Sequence, residues 1–296
     1  MAIKIESSLS VPSSGTLLGK EPARGLSVGE LTRRLELMFP PHDAEAWDRT
    51  GLLVGDPSEG VTGVSVALDP TPKAVKIAQS SGSNVLLTHH PAFLNPPEKI
   101  GPIGQGFGMA GATVFEAIRR GVALVNLHTA LDVSAQAREM LPGMLRLNVS
   151  GVLEPLPHDP DRGFGQVCTL PEGEGAVTLE RLGARCTAVF GRAPRIWGDT
   201  DRSLATIVTW TGSASAALGE CLARNVDALV CGEVKYHDAL AASEAGLCIV
   251  ELGHDVSELP FANVLGAAAI RAGVPGDRVF HISQQGNWWH PEAVRA

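Results

Sequence analysis

The sequence has no paired cysteines. Its five (Cys168, Cys186, Cys221, Cys231, Cys248) are odd in number, widely spaced and without a C-x-x-C pair. This fits reduced, buried thiols in a cytoplasmic protein better than a disulfide framework or a zinc ribbon. Positive charge is also scarce. With 24 Lys and Arg against 32 Asp and Glu, the net charge is −8, and no Lys/Arg run offers a local patch. General binding to DNA or RNA, which needs cations to displace the counterions of phosphates, is therefore disfavoured. No apolar run reaches the roughly 18 residues of a membrane span. Residues 1–25 lack the continuous apolar stretch of an export signal; rich in Ser, Gly and Pro, they are expected to form a flexible extension. What remains is ordinary for a globular chain: 296 residues, 44% hydrophobic and 19% charged, long enough for two lobes.

These residues are organised as an alternation of strands and helices. Ser27-x-x-Glu30 is a capping box, and Val28, Leu31, Leu35 and Met38 follow at helical spacing until Pro40-Pro41 ends the run. Val64, Val66 and Leu68 alternate as a strand does, and Thr71-Pro72 opens a helix over 73–79. Residues 85–87 read as a buried strand, 91–108 as a Gly/Pro-rich loop, 113–120 as a helix and 122–127 as another strand. Such alternation implies an α/β fold with mostly parallel, helix-covered sheets. A stretch rich in Pro, Gly and charge over 155–175 places a lobe boundary near Gly151. The expected division is a first lobe over 26–150, a smaller second lobe over 151–226 and a C-terminal segment over 227–296. In the second lobe the pattern predicts a helix at 177–182 and strands at 186–190 and 204–210. A helix at 215–224 follows, and then the first pattern resumes.

Three clusters of histidine and carboxylate sit where a predicted strand gives way to a loop, the usual place for ligands in α/β sheets. They are Leu87-Thr88-His89-His90-Pro91, His128-Thr129-Ala130-Leu131-Asp132 and Gly253-His254-Asp255-Val256-Ser257-Glu258. His254 and Glu258, four apart, share one face of a helical turn. Taken singly, each cluster has a bland reading as a surface pair, a helix cap or an i,i+4 contact. Three of them at three strand ends make His89, His90, Asp132, His254 and Glu258 candidate metal ligands. Their mixed N/O set suits a pair of Zn, Mn, Fe, Co or Ni ions, with Glu258 as the candidate bridge.

Other signals are weaker. Gly106-x-Gly108-x-x-Gly111 does not directly follow a strand and so lacks the context of a dinucleotide fingerprint. Thr211-Gly212-Ser213 lies between a strand and a helix, as an anion-binding turn or a plain one. Glu233, Lys235 and His237 follow a strand end and are candidates to face a substrate. His42, His158, His281 and His290 have no partner at ligand spacing, and Trp288-Trp289 reads as a packing or subunit contact.

The segment from Ala46 to Asp56 (AWDRTGLLVGD), then Leu87–Pro91 and His128–Asp132, resembles the Nif-three-like proteins, whose members are commonly labelled GTP cyclohydrolase 1 type 2 homologues. Cys231–Leu240 and Gly253-His254-x-x-x-Glu258 complete the likeness in the family's order. The resemblance implies two interleaved α/β lobes, with the C-terminal segment returning to the first, and a ring-shaped homohexamer. It also implies a two-metal centre, with His90 and Asp132 on one ion, His89 and His254 on the other, Glu258 on both and His128 close by. Arg49 and Ala130 stand where the family usually has Asn, and Gly163-Phe164-Gly165-Gln166 lacks the family's Arg. Two functions follow as expectations. One is a metal-dependent hydrolase acting on a nucleotide-like or phosphorylated small molecule, with His128 or His237 relaying the proton. The other is a non-catalytic metal-handling or adaptor protein.

Overall fold

Three four-residue strands buried along their whole length form the centre of the first sheet of the computed structural model, which describes residues 25–288 apart from 105 and 174. Strands β2 (Val64–Ala67), β3 (Val85–Thr88) and β4 (Ala123–Asn126) are covered on both faces, as parallel strands between helices must be. The order is β1-β4-β3-β2-β13, with β1 (Gly51–Val54) antiparallel at one edge and β13 (Val279–His281) parallel to β2 at the other. Side chains alternate between two cores. Val85 and Leu87 face α1 (Val28–Met38) and α11 (Phe261–Arg271), and Leu86 faces α2 (Pro72–Ser80) and α3 (Met109–Arg120).

Helix starts obey local chemistry. The Ser27 hydroxyl accepts from Glu30 N at 3.2 Å, but Glu30 does not complete the capping box, because its carboxylate holds Arg33 and Arg34 instead. Thr71 caps α2 with Pro72 in its first turn.

The second sheet has the order β5-β6-β10-β11-β12-β8, with β5 (Asn148–Leu156) at one edge beside β6 (Asp159–Thr169) and β8 (Arg195–Trp197) at the other. Its centre is parallel, β10 (Thr206–Ser213) with β11 (Ala228–Glu233) and β11 with β12 (Cys248–Glu251), and its remaining pairs are antiparallel. The sheet is thus more mixed than strict alternation suggests. Helix α7 (Leu179–Phe190) covers one face together with α6 (Met140–Leu145), while α8 (Leu218–Ala223) and α9 (Tyr236–Glu244) cover the other. Short turns α4 (Thr129–Asp132) and α5 (Ala135–Arg138) precede α6, α10 (His254–Glu258) precedes α11, and β7 (Val177–Thr178) pairs with β9 (Ser203–Leu204).

Three expectations are corrected. The segment 155–175 is not a boundary loop: β5 (Asn148–Leu156) and β6 (Asp159–Thr169) form a long hairpin across it, and Gly151 lies at a register shift within β5. The strand expected at 186–190 belongs to α7, where Leu179, Leu182, Gly183 and Cys186 are buried at helical spacing, overriding the local β-propensity. The chain returns to the first sheet at α11 and β13, later than residue 227, since β11 and β12 stay in the second sheet. All five cysteines are free and buried. Among the described residues no helix is long and apolar enough to cross a membrane. The N-terminal extension before Gly25, together with Trp289 and His290, lies outside the described residues.

Candidate metal centre

The carboxyl ends of parallel strands from both sheets meet at one place. β3 delivers His89 and His90, β4 leads through His128 to Asp132 on α4, and β12 leads through Gly253 to His254 and Glu258 on α10. The sequence thus places these five residues on three separate stretches, and the fold gathers them. Three overlapping triads of donor atoms result, His89–His90–His128 and the two that include carboxylates, His89–Asp132–Glu258 and His90–His254–Glu258, each with its atoms within 4.8 Å of one another. Glu258 belongs to both of the latter. These carboxylate triads group His89 with Asp132 and His90 with His254, whereas the resemblance implies His90 with Asp132 and His89 with His254. His89 is fully buried against Phe261 at 4.6 Å between ring centroids, with Nε2 3.8 Å from Asp132 Oδ1.

The ring orientations carry the chemical message. His89 Nδ1 is 3.2 Å from the Leu127 carbonyl, His90 Nδ1 2.8 Å from Asp69 Oδ1, His128 Nδ1 2.8 Å from Asp48 Oδ1 and His254 Nδ1 3.1 Å from Glu233 Oε1. Carbonyl and carboxylate oxygens only accept, so they favour a proton on each Nδ1, and an Nε2 that gives up its own proton turns its lone pair to the cluster. This is how metal-binding histidines are oriented.

Inside the cluster, hydrogen bonding fails where a cation would explain it. Glu258 Oε2 lies 3.0 Å from His90 Nε2 and 3.1 Å from His254 Nε2, and His89 Nε2 lies 3.8 Å from both Asp132 Oδ1 and Glu258 Oε1. Yet His89 Nε2 and Glu258 Oε2 are buried without a hydrogen-bond partner. Buried polar atoms are rarely left so, at a cost of about 1–3 kcal/mol each. The donor set fits divalent cations: imidazole nitrogens and carboxylate oxygens, oriented from behind and facing one point.

Without an ion, protons take its place. Burial opposes charging His90, but Asp69 and Glu258 prevail and raise its pKa to about 10. Glu258, helped by Glu233 against burial, raises that of His254 to about 9. Burial also works against ionising Glu258, but His254, His89 and His90 hold its pKa well below the carboxylate range. Burial and the neighbouring Glu258 charge push Asp132 up. The histidines therefore keep one carboxylate charged and leave the other prone to protonation.

A pH prediction with two opposite slopes follows. A raised imidazole pKa stabilises the metal-free fold fully below the unfolded value of about 6.5, and this contribution is lost as pH rises through about 9 and 10. Metal competes for the same lone pairs, so its affinity climbs over the same interval, by up to roughly 100-fold per pH unit where two protons are displaced. Thermal melts of chelator-treated protein, and calorimetric metal titrations in buffers of different ionisation enthalpy, read the two slopes. An affinity independent of pH between 6 and 9 would refute the competition.

The fold treats the remaining candidates unequally. His128 lies beside the cluster, 5.2 Å from His89 and 5.6 Å from His90 between ring centroids. It is held by Asp48, which also accepts from the Thr129 N–H and hydroxyl. Burial works against the Asp48 charge, but these hydrogen bonds outweigh it and lower the pKa to about 2. His237 is not brought in; it lies exposed on α9 against Tyr236. From that segment Glu233 reaches the cluster. Thr211-Gly212-Ser213 supports the segments that carry the candidate ligands: Thr211 Oγ1 donates to Asp132 Oδ1 at 3.0 Å, and Gly212 N donates to Ser257 Oγ. Gly108 and Gly111 serve helix entry and packing, since a Cβ at Gly111 would lie 2.0 Å from the Lys99 carbonyl.

Asp48, Asp69 and Thr211 are partners that sequence reading missed. Asp48 stood inside a quoted motif, but nothing in the spacing pairs it with His128. Beside Asp132 is a cavity of about 20 Å³ lined by Phe164, Gln166, Trp210 and Thr211 among others. There Phe164 stacks on Trp210 at 5.6 Å, and Gln166 Oε1 is buried without a partner.

Comparison with known proteins agrees with this architecture. The profile of the family described as Duf34/NIF3 (NGG1p interacting factor 3) matches residues 26–282. A Streptomyces coelicolor protein named GTP cyclohydrolase 1 type 2 homolog is 30% identical over 250 residues, covering 82% of this chain and 85% of that protein. A Clostridium perfringens protein of the same name is 26% identical, covering 79% and 88%. Among solved structures, a Staphylococcus aureus hypothetical protein superposes with a TM-score of 0.77 at 21% identity, covering 91% of this chain and 99% of that one. A Bacillus cereus protein related to NIF3 gives 0.76 at 19%, covering 90% and 98%. The chain belongs to the Duf34/NIF3 family.

Proposed function

We propose that this protein holds two divalent metal ions and works as a metal-dependent hydrolase on a nucleotide or another phosphorylated small molecule. The observation that carries the reading is the pair of triads sharing Glu258, with His89 Nε2 and Glu258 Oε2 buried and unpartnered between them. His89, Asp132 and Glu258 would hold one ion, and His90, His254 and Glu258 the other. Divalent ions held there would supply a nucleophile at neutral pH and stabilise charge on attacking and leaving oxygens.

The chain's own residues do the rest. Asp48 fixes His128 through Nδ1 and so presents Nε2 as a proton acceptor beside the cluster, the arrangement of a base with its orienting carboxylate. Asp69 and Glu233 orient the two outer histidines from behind. Phe164 stacks on Trp210 next to Asp132 and stands where the resemblance implies an Arg, so the surface offered to a substrate there is aromatic and uncharged. The names of the relatives make GTP the first substrate to try, with hydrolytic opening of the purine ring as the specific reaction. The homohexamer implied by the resemblance belongs to this proposal.

The deciding experiment incubates full-length protein, loaded in turn with Zn²⁺, Mn²⁺, Fe²⁺, Co²⁺ and Ni²⁺, with GTP and a panel of nucleotides. Metal-dependent turnover that disappears in Asp132→Ala and Glu258→Ala is expected. Wild-type rates no higher than those two variants, across the panel, would leave the metal-handling alternative standing.

A further inference from the structure

Two histidines without partners in the sequence meet across the two lobes. His42 and Asp43 lie in the 3-10 turn Pro41–Asp43 before β1, and His158 lies in the turn between β5 and β6. His158 Nε2 is 2.9 Å and His42 Nε2 3.5 Å from the same oxygen, Asp43 Oδ1. The rings are 5.6 Å apart, and the three donor atoms all lie within 4.8 Å of one another. The Asp43 side chain is fully buried. Its Oδ2 accepts from Arg162 Nη1 at 2.7 Å, and Arg162 is itself fixed by Asp159. Oδ1 has no hydrogen bond, although two imidazole nitrogens stand beside it.

We propose that His42, Asp43 and His158 form a separate divalent-cation site, taking Zn²⁺ or another ion that favours imidazole, and that this ion clasps the first lobe to the second. A tetrahedral zinc site with bonds near 2.0–2.1 Å puts neighbouring donor atoms about 3.3 Å apart, and the observed 2.9 and 3.5 Å bracket that separation. A plain His158–Asp43 ion pair is the rival. It would aim a ring N–H at Oδ1, and at 2.9 Å that aim is missing, the same signature as in the central cluster. Asp43 and Asp159 against Arg162 leave a net negative charge in the immediate surroundings, which suits a cation. Arg162 on the far oxygen orients the carboxylate as metal-binding carboxylates are usually oriented. Access is open, with the His42 and His158 side chains 72% and 49% exposed, so solvent can complete the coordination. The turn 41–43 packs on α4, which carries Asp132, so the clasp would brace the seam beside the centre while sharing none of its proposed ligands.

The test titrates Zn²⁺ into chelator-stripped, full-length protein against a chromophoric competitor. Wild type is expected to bind one equivalent more than either His42→Ala or His158→Ala, each weakening that site at least roughly tenfold. In Glu258→Ala one equivalent should persist, and it should vanish when His158→Ala is added. Both histidines are exposed enough for the variants to fold, which circular dichroism checks. Zn²⁺ should also raise the melting temperature of Glu258→Ala but not that of the double variant. Equal stoichiometry and affinity in wild type and His158→Ala would overturn the proposal, as would a residual equivalent in Glu258→Ala that ignores His158.

Discussion

Glu258→Ala should strip the central site of nearly all its metal, whereas Asp132→Ala should cost about half. The asymmetry comes from placement. Glu258 Oε2 faces the Nε2 atoms of His90 and His254, and Oε1 faces His89 Nε2 beside Asp132. Glu258 is the residue shared by the two carboxylate-containing triads, so its loss removes a donor from each, while Asp132 serves one. In metal-free protein the same change breaks a buried cluster in which raised imidazoles hold the Glu258 charge, and about 3–5 kcal/mol of stability should go with it at neutral pH. Glu258→Gln keeps the volume and removes the charge, and so separates packing from coordination: it should spare more stability than Ala yet lose metal alike. Elemental analysis of the three variants beside wild type reads the outcome. Wild-type metal content in Glu258→Ala would show the carboxylate to be an ion-pair partner of the histidines and nothing more.

Much of this arrangement was legible in the residues, for identifiable reasons. A histidine following a buried apolar run, as in Leu86-Leu87-Thr88-His89-His90, marks the end of a parallel strand, and such ends converge. His254 and Glu258 could be paired by eye because four residues is one helical turn. The hidden features depend on long-range approach. Asp48 meets His128, and Asp69 meets His90, through contacts that no local spacing encodes. The β5–β6 hairpin was obscured by Pro155, Pro157 and Pro160, which read as loop residues. Pro155 and Pro160 sit within the two strands, and β5 is an edge strand, where a missing N–H is tolerated. His237 misled for a complementary reason: it adjoins the strand end that supplies Glu233, but the start of α9 turns it outward.

The second large effect is expected from Gly212→Ala, a change of one methyl group away from any ligand position. Gly212 holds φ +62, and a Cβ there would stand 2.3 Å from Glu258 Oε1 and 3.5 Å from His254 Cε1. A left-handed conformation costs a non-glycine residue about 1–2 kcal/mol. The contact adds more, because Glu258 is enclosed and its carboxylate can yield only by leaving the donor triads. The backbone is pinned as well: Gly212 N donates to Ser257 Oγ, whose hydroxyl donates to the His254 carbonyl, and β11 comes so close that a Cβ at Gly232 would stand 2.4 Å from the Gly212 carbonyl oxygen. The end of β10 therefore cannot withdraw without moving α10. Metal affinity should fall at least tenfold, by the scale seen when groups supporting a ligand are lost, and the melting temperature should drop in metal-free protein too. Gly219→Ala, inside helix α8 where an added Cβ meets nothing within 4 Å, is the control: it should leave metal affinity unchanged and raise the melting temperature slightly, as Gly→Ala in a helix does. Undiminished metal binding in Gly212→Ala would mean that the placement of Glu258 does not govern the site, and the shared-carboxylate architecture would fall with it.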